Sequence, residues 1–419
     1  MQAEMDANLL TGEPSVLAFP AKGNAFPQRS SAMSSSSAST VTRLPNRDAA
    51  LKALYDDVSA KKMFPFWATS TDVEHDEVKQ LLATQRAVPY LWRCAEDIEP
   101  ILDRAVQLVT MDDSERRSLI LVNPGLAPRR ATVSTMYTAY RLNDANEIMP
   151  PHRHSPSAIR FGLKGKGNFT GVDGEDIVFG PGDMLLTPND TWHNHGTVGN
   201  EQALNLSVLD LPLVETLNAI HFEHDYKEVV NGKLVSKKQQ TPRFSPDYSQ
   251  RTYGYGGLLP RFASKAKRGA GLSSPMFVYR WEMMRELLDR HRNHEGDAHD
   301  GLMVEYIDPT TGESVFMTMT FFMQMLQPGQ KTLPVKTTSS LLVSPFEGQG
   351  HSIVDGKKFD WNQFDTLAIP GGSWFEHKND SSKDPLFLFV ASDEPTLKKL
   401  ALYKKWGKSA SGEVSQIFD

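Results

Sequence analysis

One short unit occurs twice in this chain, and that repeat limits its possible folds more than any other feature. GKG at 165–167 is matched by GQG at 348–350, an offset of 183. VDG at 172–174 is matched by VDG at 354–356, and TPNDTWHNH at 187–195 by IPGGSWFEH at 369–377, both offset by 182. In the first copy a glycine-rich turn, a VDG turn and a PGD turn separate short runs of strand-type residues. Such punctuation suits a small antiparallel barrel. Two copies of one β-unit are therefore expected.

The copies differ in their histidines. The first holds two His-x-His pairs, His152 with His154 and His193 with His195. Residues i and i+2 of a strand point to the same face, so each pair aims two imidazoles at one side of a sheet. Imidazoles converging in a barrel mouth form a metal site; the alternative is a set of structural histidines or a decayed site. In the second copy Val335 and Thr337 stand for His152 and His154, and Phe375 for His193, while His377 survives in the place of His195. The first barrel is expected to bind metal and the second to be structural or interfacial. Arg160 has the same parity as His154 and should share the inward face. An inward arginine is costly unless it meets an anion, and its fork suits a carboxylate. An internal salt bridge with an acid is the alternative. His195 can hold or move a proton, or simply close the barrel as a structural donor. Asp183 and Asp173 read as turn residues.

The rest of the chain frames these units. The expected order is a disordered Ser-rich tail over 1–45, a helical segment over 46–110, a metal-binding barrel over 111–215, a connection over 216–300, a second, degenerate barrel over 301–405 and a tail over 406–419. Helical periodicity marks DAALKALYDDVSAKK, VEHDEVKQLLATQ, the stretch around Cys94 and SPMFVYRWEMMRELLDRHR, with Asp48 and Thr71 as caps; a short helix is expected at TLKKLALYKKWG. His291, His294 and His299 sit in a charged, turn-rich setting that reads as a solvated loop rather than a metal site. Charge is nearly balanced, 45 basic against 51 acidic residues, which leaves no nucleic-acid footprint or polybasic membrane patch. A single cysteine, Cys94, excludes a disulfide framework and fits packing in a reducing, cytoplasmic setting. No run is long and apolar enough for a membrane span, and no signal-peptide pattern opens the chain.

ERRSLILVNPGL, HRHSPSAIRF, VDG, PGDMLLTPNDTWHNHG, LDLPLV and the later GQG, WFEH and ALYKK resemble the gentisate 1,2-dioxygenase family over roughly Leu54 to Trp406. The resemblance implies a mainly β bicupin, two double-stranded β-helix barrels with a helical N-terminal segment. It implies Fe(II) on His152, His154 and His193, with Ala158 where the generic cupin motif has a glutamate. His195 matches a histidine beside the substrate. Arg160 and Arg117 match substrate-holding arginines, Arg116 being the alternative for the second, and Tyr137 matches an aromatic lining the pocket. A homotetramer is implied as well. Three neutral histidines on Fe(II) leave open positions that a 2-hydroxy aromatic acid and O2 can fill. The implied reaction cleaves gentisate between its carboxyl- and hydroxyl-bearing carbons to give maleylpyruvate.

Three positions depart from the family pattern. Ser207 stands where an aspartate is expected beside the substrate, Asn205 where a tryptophan is expected, and Arg141 where glutamine is frequent. A carboxylate is lost and a cation gained, which favours a different or more anionic acid. Ring cleavage of salicylate, 1-hydroxy-2-naphthoate or a secondary-metabolite analogue is the runner-up. A metal-binding cupin without oxygenase chemistry (an isomerase or a binding protein) and a metal-free structural bicupin are the other classes.

Overall fold

The computed structural model describes residues 46–63, 86–110, 117–263, 272–294 and 296–418. The Ser-rich tail, the helix expected over 73–85, the cap at Thr71 and Arg116 lie outside them. The chain divides into two units, 1–79 and 80–419. The first contributes the helix Arg47–Ala60, whose early start puts Asp48 in its first turn rather than at the cap. Lys52–Asp56 and Lys61–Asp57 pairs at 2.8 and 2.9 Å support it and its end, though exposed pairs at this spacing add little.

The second unit contains two barrels. In the first, a six-stranded sheet runs in the spatial order Val278–Tyr279, Met184–Thr187, Ala158–Lys164, Ala203–Leu209, Tyr137–Asn143, Ser118–Ile120. A three-stranded sheet of Glu175–Phe179, Asn168–Val172 and His193–Thr197 completes it. The second barrel repeats the plan. One six-stranded sheet holds Tyr90–Trp92, Thr366–Ile369, Leu341–Glu347, Leu386–Ser392, Thr320–Leu326 and Leu302–Glu305. The other holds Lys357–Trp361, Gly350–Val354, Trp374–Asn379, Val335–Thr337, Lys405–Lys408 and Val414–Phe418. The repeated VDG motif is the same hairpin turn in both. Val172 pairs with Glu175 and Val354 with Lys357. Asp173 and Gly174 have φ of 47° and 77°, Asp355 and Gly356 of 48° and 81°. A two-residue loop with both residues left-handed matches strand twist, and Asp-Gly adopts it at low cost.

Alternation along each strand decides what is core and what is lumen. Tyr140, Ile159, Phe161, Leu206 and Val208 face away from the first lumen and pack into one cluster with Phe321, Met323, Leu342, Phe387 and Phe389 of the second barrel. Phe161 stacks on Phe389 with centroids 4.1 Å apart. Truncating a buried phenylalanine such as Phe161 to alanine costs about 3–5 kcal/mol.

Several sequence boundaries differ from those expected. Tyr90–Trp92, within the supposed helical segment, is a strand on the second barrel, paired with Thr366–Ile369. The helical stretch that follows is Cys94–Ile98 running into Glu99–Leu108, and Cys94 is buried packing whose thiol burial pushes up. Val278–Tyr279, from the expected connection, joins the first barrel beside Met184–Thr187. The final helix stops at Lys399, and the expected tail supplies the paired strands Lys405–Lys408 and Val414–Phe418. Among the described residues no helix is long and apolar enough to cross a membrane.

Candidate metal centre

Backbone pairing brings the first barrel's histidines together. His152 and His193 exchange two backbone hydrogen bonds at 2.9 Å each. His154 belongs to the strand Arg153–His154, and His195 faces Thr170 across the hairpin sheet. All four side chains are buried. The rings of His152, His154 and His193 are mutually close, with centroid separations of 4.4, 4.7 and 5.6 Å.

Distance and hydrogen bonding select different trios. Ligand atoms of His152, His193 and His195 lie within 4.8 Å of one another. Hydrogen-bond polarity points elsewhere. Nδ1 of His154 lies 2.8 Å from the Pro156 carbonyl, Nδ1 of His193 2.7 Å from that of Thr191, and Nδ1 of His152 3.5 Å from that of Pro150. A carbonyl only accepts, so each Nδ1 carries the hydrogen and each Nε2 the lone pair. Metal-ligating histidines are held in this way by an outer acceptor. His195 is engaged differently. Its Nε2 accepts from the Arg160 guanidinium at 2.9 Å, which obliges Nδ1 to donate to Thr170 Oγ1 at 3.0 Å. Burial first, then the Arg160 charge, holds His195 well below its ordinary value, so the ring is neutral. The lone pairs therefore favour His152, His154 and His193, a donor set that fits a borderline divalent ion.

The inward positions around them mix polar and small or apolar side chains. On Ala158–Lys164 they are Ala158, Arg160 and Gly162; on Tyr137–Asn143, Tyr137, Ala139, Arg141 and Asn143; on Ala203–Leu209, Asn205, Ser207 and Leu209. None is a carboxylate. Arg160 is buried and also donates to the Ile159 carbonyl at 2.9 Å. Arg141, equally buried, donates to Ser118 Oγ at 2.9 Å and to Met149 Sδ at 3.3 Å, the latter a weak acceptor. Ser207 pairs in register with Arg160 on one side and Ala139 on the other, and donates to the Ala139 carbonyl at 3.2 Å. Asn205 donates to Asn168 Oδ1 at 2.9 Å. Tyr137 packs with Ala158, Leu209 and Leu211. Arg117, expected to hold substrate, is ion-paired with Glu147 and donates to the Val109 carbonyl at 2.8 Å. Contact with a substrate would require that buried pair to open.

Two residues at the site were not singled out in the sequence. Phe222 and His224 come from the supposed connection, where Phe222–Glu223 pairs with Arg153–His154. Phe222 sits edge-on to His154 at 5.3 Å, and the exposed His224 stacks at 6.1 Å from His152. The alternation in HFEH is the only signal that could have found them. Asp183 does more than turn: its carboxylate accepts from the Trp281 backbone N–H and pairs with Arg280 at 2.9 Å. His291, His294 and His299 form no metal-capable group among the described residues. A second such group, His351, Asp360 and Asp380, is partly exposed and already has Lys358 and Lys378 at 2.6 and 3.6 Å from its carboxylates.

A cupin-domain family model matches residues 144–209. Gentisate 1,2 dioxygenase 1 of Aquipseudomonas alcaligenes is 33% identical over 355 residues, covering 84% of this chain and 95% of that protein. The 5-aminosalicylate 1,2-dioxygenase of Comamonas sp is 31% identical over 372 residues, 86% and 91% of the two chains. The 1-hydroxy-2-naphthoate 1,2-dioxygenase of Nocardioides sp. (strain KP7) is 31% identical over 317 residues, 75% and 78%. A solved salicylate 1,2-dioxygenase from Pseudaminobacter salicylatoxidans shares the fold, with a TM-score of 0.73 at 24% identity over 87% of this chain and 99% of that one.

Proposed function

The chain belongs to the gentisate 1,2-dioxygenase family of ring-cleaving cupin dioxygenases, and from that premise we propose that it opens the ring of gentisate between the carboxyl- and hydroxyl-bearing carbons to give maleylpyruvate. The observation that carries this reading is the clustering of the His152, His154 and His193 rings, each with its Nδ1 beside a backbone carbonyl, together with the buried Arg160 guanidinium in one lumen. Held by those histidines, Fe(II) would supply a Lewis-acid template for the acid and O2 and the electron transfer between them.

The protein's own groups then have defined work. Arg160 presents a charge-assisted fork to the acid's carboxylate, and His195, accepting from Arg160, fixes the direction of that fork. Thr170 holds the His195 ring from behind. Ala158 keeps the donor set uncharged where a carboxylate would neutralise part of the metal's charge. Tyr137, against Ala158, forms an apolar wall for the ring. His224 and Phe222 stand over the histidines on the side of the connecting segment. The family resemblance also carries a homotetramer into this proposal.

A second reading rests on Ser207, Asn205 and Arg141. These offer a ring hydroxyl no carboxylate and add a cation, which suits salicylate, 5-aminosalicylate or 1-hydroxy-2-naphthoate as well as gentisate. Anaerobic reconstitution with Fe(II) followed by oxygen uptake against these acids decides. Gentisate-dependent uptake with a new dienoate-type absorbance supports the first reading. Uptake with another of the acids alone replaces gentisate by that acid, and iron binding without uptake for any acid overturns the dioxygenase proposal.

A further inference from the structure

The second barrel has lost three of the four imidazoles, yet its lumen is not filled. A cavity of about 200 Å³ remains, walled by Phe322, Leu341, Phe375, Val390, Gln324 and His377. A cavity of roughly 150 Å³ with an apolar lining is enough to take benzene. Partly exposed Asp300, Glu394 and Lys405 mark its open side.

One atom in the wall asks for a ligand. Gln324 is buried, and its Nε2 donates to the Asp300 carbonyl at 2.8 Å. That bond fixes the amide, because the flipped form would set two oxygens against each other. Oε1 is consequently an acceptor, is fully buried, and has no hydrogen-bond partner among the described residues. A buried acceptor left in this state is costly, and a donor arriving in the cavity would relieve it.

The charges specify what kind of donor. Strand register makes Gln324 the counterpart of Arg141: Arg141 pairs with Asn205, and Gln324 with Leu388. Val343, paired with Val390, holds the place of Arg160, paired with Ser207. Both cations of the first lumen are thus neutral in the second. At the open side Asp300 is ion-paired with Lys405, and Glu394 with Lys398 at 2.5 Å. Burial pushes His377 down to about 4, so it adds no charge near neutral pH. Nothing in these walls selects an acid. Aromatic and aliphatic walls with a few polar groups (Gln324, Thr337, Ser339, His377 and Tyr403 beside the charged residues of the open side) suit a flat ring.

We propose that the second lumen binds a neutral, single-ring aromatic of the phenol class, its ring between Phe322, Leu341 and Phe375 and its hydroxyl donating to Gln324 Oε1. The two barrels would then take an aromatic acid and an uncharged phenol respectively. This inference stands on the second barrel alone and does not depend on which acid the first one cleaves.

The test uses the iron-loaded full chain. Crystals soaked with 4-bromophenol should show a bromine anomalous peak beside Phe322 and Phe375; a peak only in the first barrel, or none, overturns the proposal. In solution, ¹⁹F NMR of 4-fluorophenol reads affinity. Val390→Phe, which fills the cavity, should weaken binding at least tenfold while oxygen uptake with the aromatic acid stays unchanged. Gln324→Leu, close in size and free of overpacking, should remove the preference for 4-fluorophenol over fluorobenzene. Unchanged binding in both variants, or a 4-bromobenzoate anomalous peak beside Phe322 and Phe375 as strong as that of 4-bromophenol, overturns it.

Discussion

The two barrels share one register and differ in what they aim inward. His152 bridges His193 as Val335 pairs with Phe375; Thr170 faces His195 as Ser352 faces His377. Even the outer hydrogen bonds persist: His154 Nδ1 reaches the carbonyl two residues on, and Thr337 Oγ1 does the same to Ser339 at 2.9 Å. What changes is polarity. The second lumen is lined mainly by apolar side chains, Val335, Val343, Val354, Phe375, Leu388 and Val390 among them, around its cavity. Backbone geometry alone therefore does not make a metal centre; the side chains placed on it do. The scaffold tolerates either lumen because the core shared by the barrels lies on the opposite faces of the same strands.

The sharpest way to break this comparison is to remove one imidazole and its counterpart. His154→Ala should abolish stoichiometric iron and lower turnover by more than about 1000-fold, because two histidines do not hold an open divalent site. Thr337→Ala, the same change in the second barrel, should leave oxygen uptake within about twofold. Metal analysis and an oxygen electrode check both. Full iron content in His154→Ala would hand the third ligand position to His195.

Where the barrels are alike, equal effects are expected. Asp210 accepts from the Ser157 N–H at 2.8 Å and from Thr318 Oγ1 at 2.6 Å; Asp393 accepts from the Ser340 N–H at 2.7 Å and from Thr135 Oγ1 at 2.5 Å. Each carboxylate thus reaches a threonine of the opposite barrel. Burial pushes both up to about 6 from an ordinary 3.8. The folded state binds these protons more tightly than the unfolded one. Their contribution to stability is complete below about pH 4 and is lost as pH rises through 6, about 3 kcal/mol per group at most. Asp210→Asn and Asp393→Asn should each flatten that slope, raising urea midpoints at pH 7 relative to those at pH 4.5. A slope unchanged in both variants would mean that these carboxylates ionise freely in the fold.

Arg160 and Val343 give a smaller contrast. Arg160→Ala should raise KM for the aromatic acid about 30-fold, the loss of one charge-assisted interaction, with a lesser fall in kcat. Val343→Ala should cost stability of about 1–2 kcal/mol and leave KM unchanged. An unaltered KM in Arg160→Ala would remove its place at the carboxylate, and attention would pass to Arg141.

Much of this was legible in advance where the signal is local. The VDG hairpins, the i,i+2 histidine pairs and the parity of Arg160 each follow from a handful of adjacent residues. The loss of ligands in the second copy was read directly from Val335, Thr337 and Phe375. Long-range pairing left no such trace. Tyr90–Trp92 precedes a helical stretch and joins a strand at Thr366–Ile369. Phe222 and His224 lie in a segment with no barrel pattern, and only their pairing with Arg153–His154 brings them to the site. The burial of Arg117 against Glu147 likewise depends on a fold-level contact between residues 30 apart.

The mildest change asks whether the second barrel can be turned back into the first. Val335→His, Thr337→His and Phe375→His together restore the missing imidazoles at register-equivalent positions. The carbonyl of Ser339 already stands where Pro156 holds His154, so the new ring at 337 would find its acceptor. Iron content should rise from about one toward two per chain, with weaker affinity at the new site because the outer acceptors for the other two rings were never selected, a deficit of about 10–100-fold. Oxygen uptake should not rise. The new site would still face Gln324 and Val343 where the first faces Arg141 and Arg160, so no guanidinium would hold a carboxylate beside the metal. A second active site appearing with the histidines alone would make the arginines dispensable and reduce the difference between the barrels to their metal ligands.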